Sequence, residues 1–428
     1  MFTSLDNSSV NDTFKDSIFN GLSIDGGLYY PKEIKILNEI IQNIRGLSNQ
    51  EIGYLIMKSF INNEIPDKAL KKIIKQTINF DFPIKNIQKN IFSYELFHGP
   101  TLAFKDVGAS FLANSLEYYT KDRVLNILVA TSGDTGAAVA NSFLNKKNIN
   151  VIILFPKNKI SSFQQKQITT KGNNIYAVEL EGDFDACQSL VKRAFNDKKL
   201  RQKINISSAN SINVGRWLPQ IIYYFILYKE LNKINIEKEI CISIPSGNFG
   251  NICAGLISKK MGLNFKKIIA STNINDTIPR YLSSGIFDPK KTKRTISNAM
   301  DVSIPNNFPR IEKIYNDNFK SLSNDLISEM VNEFQTKEEI KKTFHDSKYI
   351  LDPHGAVGLV GLKRNLRNNE TGVFFETAHP IKFMDSVGKI LKIREDFFKI
   401  NLNFNNKETI HKIKNNYNDL VDFINLIN

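Results

Sequence analysis

Cysteine, long apolar runs and concentrated charge are all scarce in this sequence. Only three of its 428 residues are cysteine, Cys187, Cys241 and Cys253, and they are widely spaced. An odd number without a CxxC pair excludes a disulfide framework and a zinc site of the CxxC type, and it favours a reducing compartment. No apolar run approaches the roughly 18 residues that a membrane helix needs, the richest being residues 221–228. We therefore expect no membrane partner.

The amino terminus and the charge distribution narrow the class of protein further. Residues 1–16 lack the basic start and apolar stretch of an export signal, which predicts a soluble, cytoplasmic protein. Lysine and arginine number 57 against 43 acidic residues, a net charge of +14, so nucleic-acid binding has to be considered. The basic residues are spread along the chain, however, and the clusters at 71–75 and 290–294 are short. Solvated surface lysines explain this pattern better, so we expect no nucleic-acid partner.

Apolar, strand-like segments alternate with helix-like segments through the middle of the chain. Strands are predicted at residues 126–130, 151–155, 175–180, 240–245, 267–272 and 372–376. Helices are predicted at residues 136–147, 185–195 and 251–262. This order predicts an α/β fold with mostly parallel sheets covered by helices. The first ninety residues, with a glycine-rich turn at 21–31 followed by amphipathic helical stretches to about residue 78, form a separate amino-terminal unit in this interpretation.

Two predicted strands end in small-residue turns that lead into helices. The first turn lies in VATSGDTGAAV (residues 129–139) and the second in IPSGNFGNICAG (residues 244–255). Successive backbone N–H groups at such a turn can converge on a phosphate or a carboxylate. A single turn of this kind is more often just a tight connection, but two on one sheet favour a ligand site. Neither is a Walker A loop or a GxGxxG fingerprint, which disfavours a kinase or a dehydrogenase.

The segment ELFHGPTLAFKD (residues 95–106) contains a candidate nucleophile. Lys105 follows a Gly-Pro turn within an apolar sequence, where loss of hydration lowers the pKa of an amine and frees it for Schiff-base chemistry. The alternative is a surface lysine paired with Asp106. His98, His354 and His379 either orient a substrate or cap turns, and because no two histidines have ligand spacing we expect no metal site.

Seven motifs occur in an order that resembles a known family. They are FHGPTLAFKD, TSGDTGAAVA, SANSIN, PSGNFGN, NDTIPRY, SNAMDVSIPNN and TAHPIKF. The chain closely resembles the threonine synthases of the longer bacterial and fungal type, which are pyridoxal-phosphate enzymes of fold type II, like the tryptophan synthase β subunit. The resemblance implies three segments: an amino-terminal domain (1–90), a catalytic domain (91–385) with a smaller lobe at roughly 110–210, and a carboxyl-terminal helical tail (386–428).

The resemblance also implies how pyridoxal 5'-phosphate is bound. Lys105 would form a Schiff base with it and later move protons among the substrate carbons. Asp134 would lie near the 3-oxygen of the cofactor, and Thr377 would face the pyridine nitrogen, with Glu376 as the competing candidate. The full set of implied cofactor-binding residues is Lys105, Asp134, Ser246, Gly247, Asn248, Phe249, Gly250, Asn251 and Thr377.

The implied reaction is the last step of threonine biosynthesis. It converts O-phospho-L-homoserine and water to L-threonine and phosphate, by elimination at the γ-carbon and addition of water at the β-carbon. The implied substrate-binding residues are Thr131, Ser132, Thr135, Asn210, Ser211 and Arg216. The first three would lie near the substrate carboxylate and phosphate and the last three would bind its phosphate, while Asn248 could contact either phosphate. Arg216 suits a phosphate because its planar fork donates two hydrogen bonds, and the alternative for it is a surface ion pair.

Two other functions remain open at this stage. A pyridoxal-phosphate serine/threonine dehydratase would share Lys105 and the glycine turn but would need no phosphate receptor, so Arg216 discriminates between the two. A noncatalytic relative would bind phosphorylated ligands or nucleic acid through the basic surface and would carry no chromophore. We expect a small-molecule substrate and an enzyme that is a monomer or a homodimer.

Overall fold

The computed structural model describes residues 1–120, 123–236, 238–400, 404 and 406–427. These residues form two compact units, each built from discontinuous segments. Unit 1 contains Met1, Tyr30–Phe104 and Trp217–Ile400. Unit 2 contains Phe2–Tyr29, Lys105–Arg216 and the described part of residues 401–428. The chain therefore passes from one unit to the other directly before Lys105 and directly after Arg216.

The strands of the described residues are short, as is usual for an α/β protein. They are β1 (Phe2–Ser4), β2 (Tyr29–Pro31), β3 (Ile84–Gln88), β4 (Ile91–Glu95), β5 (Leu125–Ala130), β6 (Ile149–Pro156), β7 (Ile175–Leu180), β8 (Asn205–Ser208), β9 (Glu239–Pro245), β10 (Lys267–Thr272), β11 (Leu326–Met330), β12 (Glu370–Glu376) and β13 (His411–Ile413). All six strands that the sequence predicts are confirmed.

Helices cover both sheets. They are α1 (Phe14–Asn20), α2 (Asn38–Asn43), α3 (Asn49–Ile61), α4 (Asp67–Thr77), α5 (Lys105–Tyr119), α6 (Asp134–Phe143), α7 (Ser162–Thr169), α8 (Phe184–Asn196), α9 (Lys198–Lys203), α10 (Val214–Trp217), α11 (Ile221–Lys233), α12 (Gly250–Lys260), α13 (Thr277–Ser284), α14 (Phe308–Ile314), α15 (Phe319–Asp325), α16 (Glu333–Ser347), α17 (Pro353–Asn365), α18 (Met384–Leu391) and α19 (Tyr417–Leu426). Among the described residues we find no helix whose length and hydropathy would let it cross a membrane.

Unit 1 contains a six-stranded sheet in the order β11-β10-β9-β12-β4-β3. Its strands are parallel except for β3, which pairs with β4 in the antiparallel sense. The central strand β12 is buried at all seven positions, as expected for a parallel strand that is covered on both faces. Helices α3 and α4 of the amino-terminal segment pack in this unit, where Gly53 lies against Ile74 and Ile222.

Unit 2 contains a five-stranded, fully parallel sheet in the order β13-β7-β6-β5-β8. Its core joins residues of β5, β6 and β7 to α8 and α19. The carboxyl-terminal segment adds a strand as well as helices, because β13 pairs with β7. Residues 2–29 also belong to this unit, and Ser207 and Asn213 both donate side-chain hydrogen bonds to the carbonyl of Ile18.

Two details of the sequence-based interpretation are wrong. The two small-residue turns do not lie on one sheet: the first follows β5 in unit 2 and the second follows β9 in unit 1. A local strand-turn-helix pattern carries no information about which strands pair. The helix predicted at residues 136–147 ends at Phe143, and Asn145 and Asn148 both have positive φ. Asparagine tolerates this left-handed backbone, which terminates a helix.

Candidate functional site

Lys105 is the first residue of α5, and its amine is largely withdrawn from solvent. Its side chain is 16% exposed, and Nζ lies 3.5 Å from Oδ2 of Asp134. The other carboxylate oxygen of Asp134 accepts a hydrogen bond of 2.9 Å from Nε2 of Gln164, which fixes the carboxylate. This degree of burial does not fit the alternative of a surface lysine. The amine is held beside a buried acid within unit 2.

The turn after β5 uses its own polar groups to hold its shape. Oγ1 of Thr131 accepts hydrogen bonds from the backbone N–H groups of Gly133 and Gly136, at 2.9 and 2.8 Å. Gly133 has a φ of 136°, and a Cβ there would lie 2.4 Å from the amide of Gln164. Thr131 is buried, whereas Ser132 and Thr135 are partly exposed. The latter two hydroxyls are thus the accessible ones of the predicted trio.

The SANSIN segment follows β8, the neighbour of β5. The side chain of Asn210 bridges the end of β5 by accepting from the N–H of Ala130 at 3.2 Å and donating to its carbonyl at 2.7 Å. Ser211 is partly exposed. The structure thus brings Asn210 next to the turn that contains Thr131.

Arg216 is 4% exposed, and its guanidinium donates to the carbonyl of Ala209. Its own carbonyl lies against Gly108 of α5, where a Cβ would approach to 2.2 Å. The alternative of a surface ion pair for Arg216 is therefore wrong. A guanidinium withdrawn from water at this depth requires partners for its charge, and a phosphate dianion is a suitable one.

In unit 1, residues 246–251 connect β9 to α12, and we call them the glycine loop. Phe249 has a left-handed backbone with a φ of 59°, and its ring packs against Phe308 at a centroid distance of 5.8 Å. A Cβ on Gly247 would lie 2.6 Å from the carbonyl oxygen of Ala299, so only glycine fits there. The hydroxyl of Ser246 donates a hydrogen bond of 2.9 Å to the carbonyl of Ile244.

The glycine loop presents hydrogen-bond donors at the start of α12. The hydroxyl of Tyr224 donates to both Oδ1 and the carbonyl of Asn251, at 2.5 and 2.8 Å, which fixes the orientation of the amide. Nδ2 of Asn251 is buried and has no hydrogen-bond partner among the described residues. The first N–H groups of a helix also have no partner within the helix. Unpaired donors and the positive end of an 11-residue helix together fit the phosphate of a cofactor.

The amides beside the loop hold its main chain in place. The carbonyl of Asn248 accepts from both N–H groups of Asn307, backbone and side chain, at 3.2 and 3.0 Å. Oδ1 of Asn248 accepts from the backbone N–H of Asn306 at 3.3 Å. Both donors belong to the SNAMDVSIPNN motif, whose contact with the loop the sequence alone did not show.

Thr377 follows β12 and is held against the segment that precedes Lys105. Its carbonyl accepts a hydrogen bond of 2.9 Å from the N–H of Phe104, and Ala103 and Ala378 form an antiparallel bridge. The N–H of His379 also donates to the carbonyl of Leu102, at 3.0 Å. Thr377 is 6% exposed. The last residue before Lys105 is thus fixed to Thr377 by a backbone hydrogen bond.

Glu376, the competing candidate to Thr377, is fully buried beside other acids. Burial raises its pKa well above the ordinary value, and the carboxylates of Asp352 and Glu95 raise it further. Its carboxyl group lies against the start of α17, since a Cβ on Gly355 would come within 2.2 Å of Oε1. Both causes favour the protonated form of Glu376. This cluster could not be recognised in the sequence, because its acids come from three distant segments.

Each of the three candidate histidines contacts a carboxylate or a backbone N–H group of the protein. Burial lowers the pKa of His379 to about 4, and its Nδ1 accepts from the N–H of Ile381 at 3.1 Å, capping the turn Pro380–Phe383. Nε2 of His98 lies 2.7 Å from Oε2 of Glu95. Nδ1 of His354 lies 2.6 Å from Oδ2 of Asp352. His379 therefore acts as a neutral cap.

Comparison with known proteins identifies two matching family models. The family described as "Pyridoxal-phosphate dependent enzyme" matches residues 81–375, and "Threonine synthase N terminus" matches residues 1–78. A threonine synthase of Haemophilus influenzae is 47% identical over 382 residues, which cover 89% of this chain and 89% of that protein.

Solved structures agree over the length of the chain. The crystal structure of threonine synthase from Escherichia coli matches with a TM-score of 0.92 and 37% identity, covering 100% of both chains. The pyridoxal-phosphate-bound threonine synthase from Brucella melitensis matches with a TM-score of 0.90 and 30% identity, covering 99% of this chain and 98% of that one.

Proposed function

We propose how this chain, which belongs to the threonine synthase family of pyridoxal-phosphate-dependent enzymes, carries out that family's reaction. It is a lyase of threonine biosynthesis that converts O-phospho-L-homoserine and water to L-threonine and phosphate. The single observation that carries the proposed roles is the sequestered amine of Lys105, 3.5 Å from the carboxylate of Asp134. An amine in this position is a suitable partner for an aldehyde.

In this proposal, three groups of residues would bind different parts of the cofactor. Lys105 would hold the cofactor through its aldehyde carbon, and Asp134 would lie on the side of its 3-oxygen. The glycine loop, Ser246 to Gly250 with Asn251, binds its phosphate through backbone N–H groups and Nδ2 of Asn251, which fits the unpaired donor described above. Thr377 contributes a hydroxyl to the pyridine nitrogen. When bound, the cofactor draws electrons away from the substrate carbons and so makes their protons acidic.

The substrate has two anionic ends, which need separate receptors. Asn210, Ser211 and Arg216 bind its phosphate, and the guanidinium of Arg216 supplies the positive charge. Thr131, Ser132 and Thr135 line the carboxylate end, with Thr131 acting through the shape of its turn because its hydroxyl oxygen already accepts two hydrogen bonds. The buried position of Arg216 supports its assignment to a ligand rather than to the solvent.

Lys105 moves the protons of the reaction once the substrate amine has displaced it. Its Nζ would remove the proton from the α-carbon, release it to water, and as a free amine again remove a proton from the β-carbon, after which phosphate would leave the γ-carbon with the electron pair of the C–O bond. Water would add its hydroxyl to the β-carbon and give its other proton to the departed phosphate, while the α-carbon and the γ-carbon would each regain a proton. The carboxylate of Asp134, 3.5 Å from Nζ, would orient the amine of Lys105 during these proton transfers.

The alternative functions are less well supported. A serine/threonine dehydratase needs no phosphate receptor, whereas Arg216 is buried in the segment proposed to bind phosphate. A noncatalytic relative has no need of a buried lysine beside an acid. We place the enzyme in the cytoplasm, in keeping with three buried free cysteines, and expect a monomer or homodimer without a nucleic-acid or membrane partner.

An absorbance scan followed by an assay of phosphate release tests this function. The purified protein should show the band of a lysine-bound pyridoxal phosphate and release phosphate from O-phospho-L-homoserine. Lys105→Ala should lose both, whereas Lys320→Ala, at an exposed lysine on α15, should lose neither. Borohydride reduction and peptide mapping should locate the pyridoxyl group on Lys105. A Lys105→Ala variant with full turnover, or an adduct at another lysine only, contradicts the assignment.

A further inference from the structure

The position of the glycine loop depends on the segment behind it, Ser297 to Asp301, which we call the SNAMD segment. A Cβ on Gly247 would lie 2.6 Å from the carbonyl oxygen of Ala299 and 3.0 Å from Cα of Met300. The loop therefore rests directly on this main chain. Any shift of the SNAMD segment toward or away from β9 must move the loop or open a gap beneath it.

The SNAMD segment is held on one side by Asn273. Nδ2 of Asn273 donates to Oγ of Ser297 at 3.2 Å and to Oδ1 of Asp301 at 2.9 Å. Asp301 also accepts from the backbone N–H of Thr295 at 3.0 Å. These bonds fix both ends of the segment but leave its middle residue, Ala299, to another partner.

That partner is His354, the second residue of α17. Its Nε2 accepts a hydrogen bond of 3.2 Å from the backbone N–H of Ala299. Because a backbone N–H can only donate, Nε2 carries no hydrogen, and the ring hydrogen lies on Nδ1, 2.6 Å from Oδ2 of Asp352. The ring is therefore neutral and its tautomer is set by Asp352. Asp352 is itself fixed, since Oδ1 accepts from the N–H of Gly355 at 2.6 Å.

We propose that His354 is a positioning residue for the cofactor phosphate. By holding the main chain of Ala299, it fixes the position of Gly247 and thereby the direction in which the donors of the glycine loop point. This inference rests on the proposed function, which assigns the loop to that phosphate. Hydrogen bonds to a phosphate weaken steeply when donors are misaligned, so the loop binds tightly only where it is preorganised. His354 does not contact the reacting atoms in this role.

The effect should be confined to the phosphate end of the cofactor. Pyridoxal has the same aldehyde and ring as pyridoxal phosphate but lacks the phosphate, so it reports on Lys105 and the ring contacts alone. A residue that acts through the glycine loop must weaken the binding of pyridoxal phosphate and spare pyridoxal. A histidine that merely fills the core would affect both aldehydes equally, or neither.

The test uses full-length protein freed of cofactor and measures its affinity for both aldehydes. His354→Asn keeps a donor near Nδ1 but loses the acceptor at Nε2, and should weaken pyridoxal phosphate binding about tenfold, because the N–H of Ala299 is left buried and unpaired. Its affinity for pyridoxal should stay within twofold of wild type. His354→Gln places an amide oxygen near Nε2 and should stay within threefold for both. His345→Asn, at an exposed histidine on α16, is the matched control.

Phosphorus NMR of the reloaded protein gives a second readout. The resonance of the bound phosphate should shift in His354→Asn and stay near the wild-type position in His354→Gln. Unchanged affinity and resonance in His354→Asn overturn the proposal, as does an equal loss of affinity for both aldehydes. Should His354→Asn fail to fold, His354→Met, which also lacks the acceptor, takes its place. If both acceptor-free variants fail to fold while His354→Gln folds, the role is structural and the proposal is wrong.

The outcome can be separated from the fate of the proposed function. If the wild-type protein forms no Schiff base with either aldehyde, the cofactor assignment is wrong. If it forms one with both but prefers neither, the glycine loop does not bind the phosphate. If the wild-type protein binds pyridoxal phosphate more tightly than pyridoxal, the ratio of the two affinities in His354→Asn tests the role of His354. A reduced ratio supports the proposal, and an unchanged ratio contradicts it.

Discussion

The turn after β5 and the glycine loop after β9 have similar sequences, but their polar groups are hydrogen-bonded differently. In the β5 turn, the hydroxyl oxygen of Thr131 accepts hydrogen bonds from the N–H groups of Gly133 and Gly136. The side-chain amide of Gln164 packs against Gly133. In the glycine loop, Nδ2 of Asn251 has no partner among the described residues. The first turn thus pairs the N–H groups of Gly133 and Gly136 internally, whereas the second leaves the side-chain donor of Asn251 unpaired among the described residues.

The difference lies in what surrounds each turn rather than in the turn itself. The β5 turn is stabilised from within, because the side-chain oxygen of Thr131 accepts hydrogen bonds from backbone N–H groups of the same turn. The glycine loop is supported from outside, by Asn307 on its carbonyl and by Ala299 beneath Gly247. A turn that is stabilised from outside can leave its own N–H groups unpaired without losing its shape. The two turns should therefore respond differently to mutation.

The largest effect should come from the region beside the β5 turn. Arg216→Ala should lower kcat/KM for O-phospho-L-homoserine about a thousandfold, because it removes the buried positive charge proposed for the substrate phosphate. The absorbance of bound pyridoxal phosphate should stay unchanged, since the glycine loop is intact. Arg216→Lys keeps the charge but loses the fork, and should recover only part of the rate.

Arg201→Ala, at an exposed arginine on α9, is the control for Arg216 and should retain full activity. Turnover by Arg216→Ala within threefold of wild type would show that the substrate phosphate binds elsewhere. It would also remove the main distinction from a dehydratase.

A pair of substitutions with intermediate effects contrasts the two turns directly. Asn251→Asp keeps the bond from Tyr224 but places a negative charge at the proposed phosphate site, and should weaken pyridoxal phosphate binding at least tenfold. Thr131→Val should instead lower the free energy of unfolding by about 2–4 kcal/mol, because two buried N–H groups lose their acceptor. Cofactor titration and denaturant unfolding measure the two effects.

Asn369→Asp, at an exposed asparagine, is the control for the added charge. The contrast breaks down if Thr131→Val selectively weakens binding of the phosphorylated aldehyde while its stability is unchanged. It also breaks down if Asn251→Asp binds pyridoxal phosphate as tightly as wild type.

The last prediction is a pH dependence of stability that arises from Asp301, in the segment that supports the glycine loop. Burial raises the pKa of Asp301 from 3.8 to about 6. Between these values the unfolded chain ionises while the folded protein stays protonated, so the stabilising contribution is complete below 3.8 and is lost as pH rises to about 6. The total is about 3 kcal/mol at most.

Asp301→Asn should abolish this component, which denaturant unfolding at pH 4, 5, 6 and 7 can measure. The difference in unfolding free energy between wild type and variant should change over that range and level off above about pH 6. A constant difference at all four values would mean that Asp301 is ionised throughout.

The predictions from sequence were most accurate where the chemistry is local. The apolar segments at 126–130 and 240–245 are strands because continuous apolar runs suit strands covered on both faces. The turns that follow them are visible as runs of glycine, serine and asparagine. Lys105 was recognisable because its motif is contiguous, and its cofactor role remains a prediction that peptide mapping can test.

Contacts between distant segments were not predictable. Asp134 lies 29 residues from Lys105, and only the packing of α5 beside α6 brings the amine and the acid together. The bond between His354 and Ala299 joins residues 55 positions apart. No spacing rule connects such pairs, because their proximity depends on the order of strands within a sheet.

The sequence by itself determined the α/β class, six of the thirteen described strands and the family, and it pointed to Lys105 as the candidate nucleophile, because each of these depends on contiguous residues whose local pattern is sufficient. Tertiary structure alone decided that the two similar turns lie on different sheets, that Arg216 is buried, and that burial raises the pKa of Glu376. The physical reason is that burial, pKa and the pairing of hydrogen-bond donors are properties of an environment, and that environment is assembled from segments far apart in the chain.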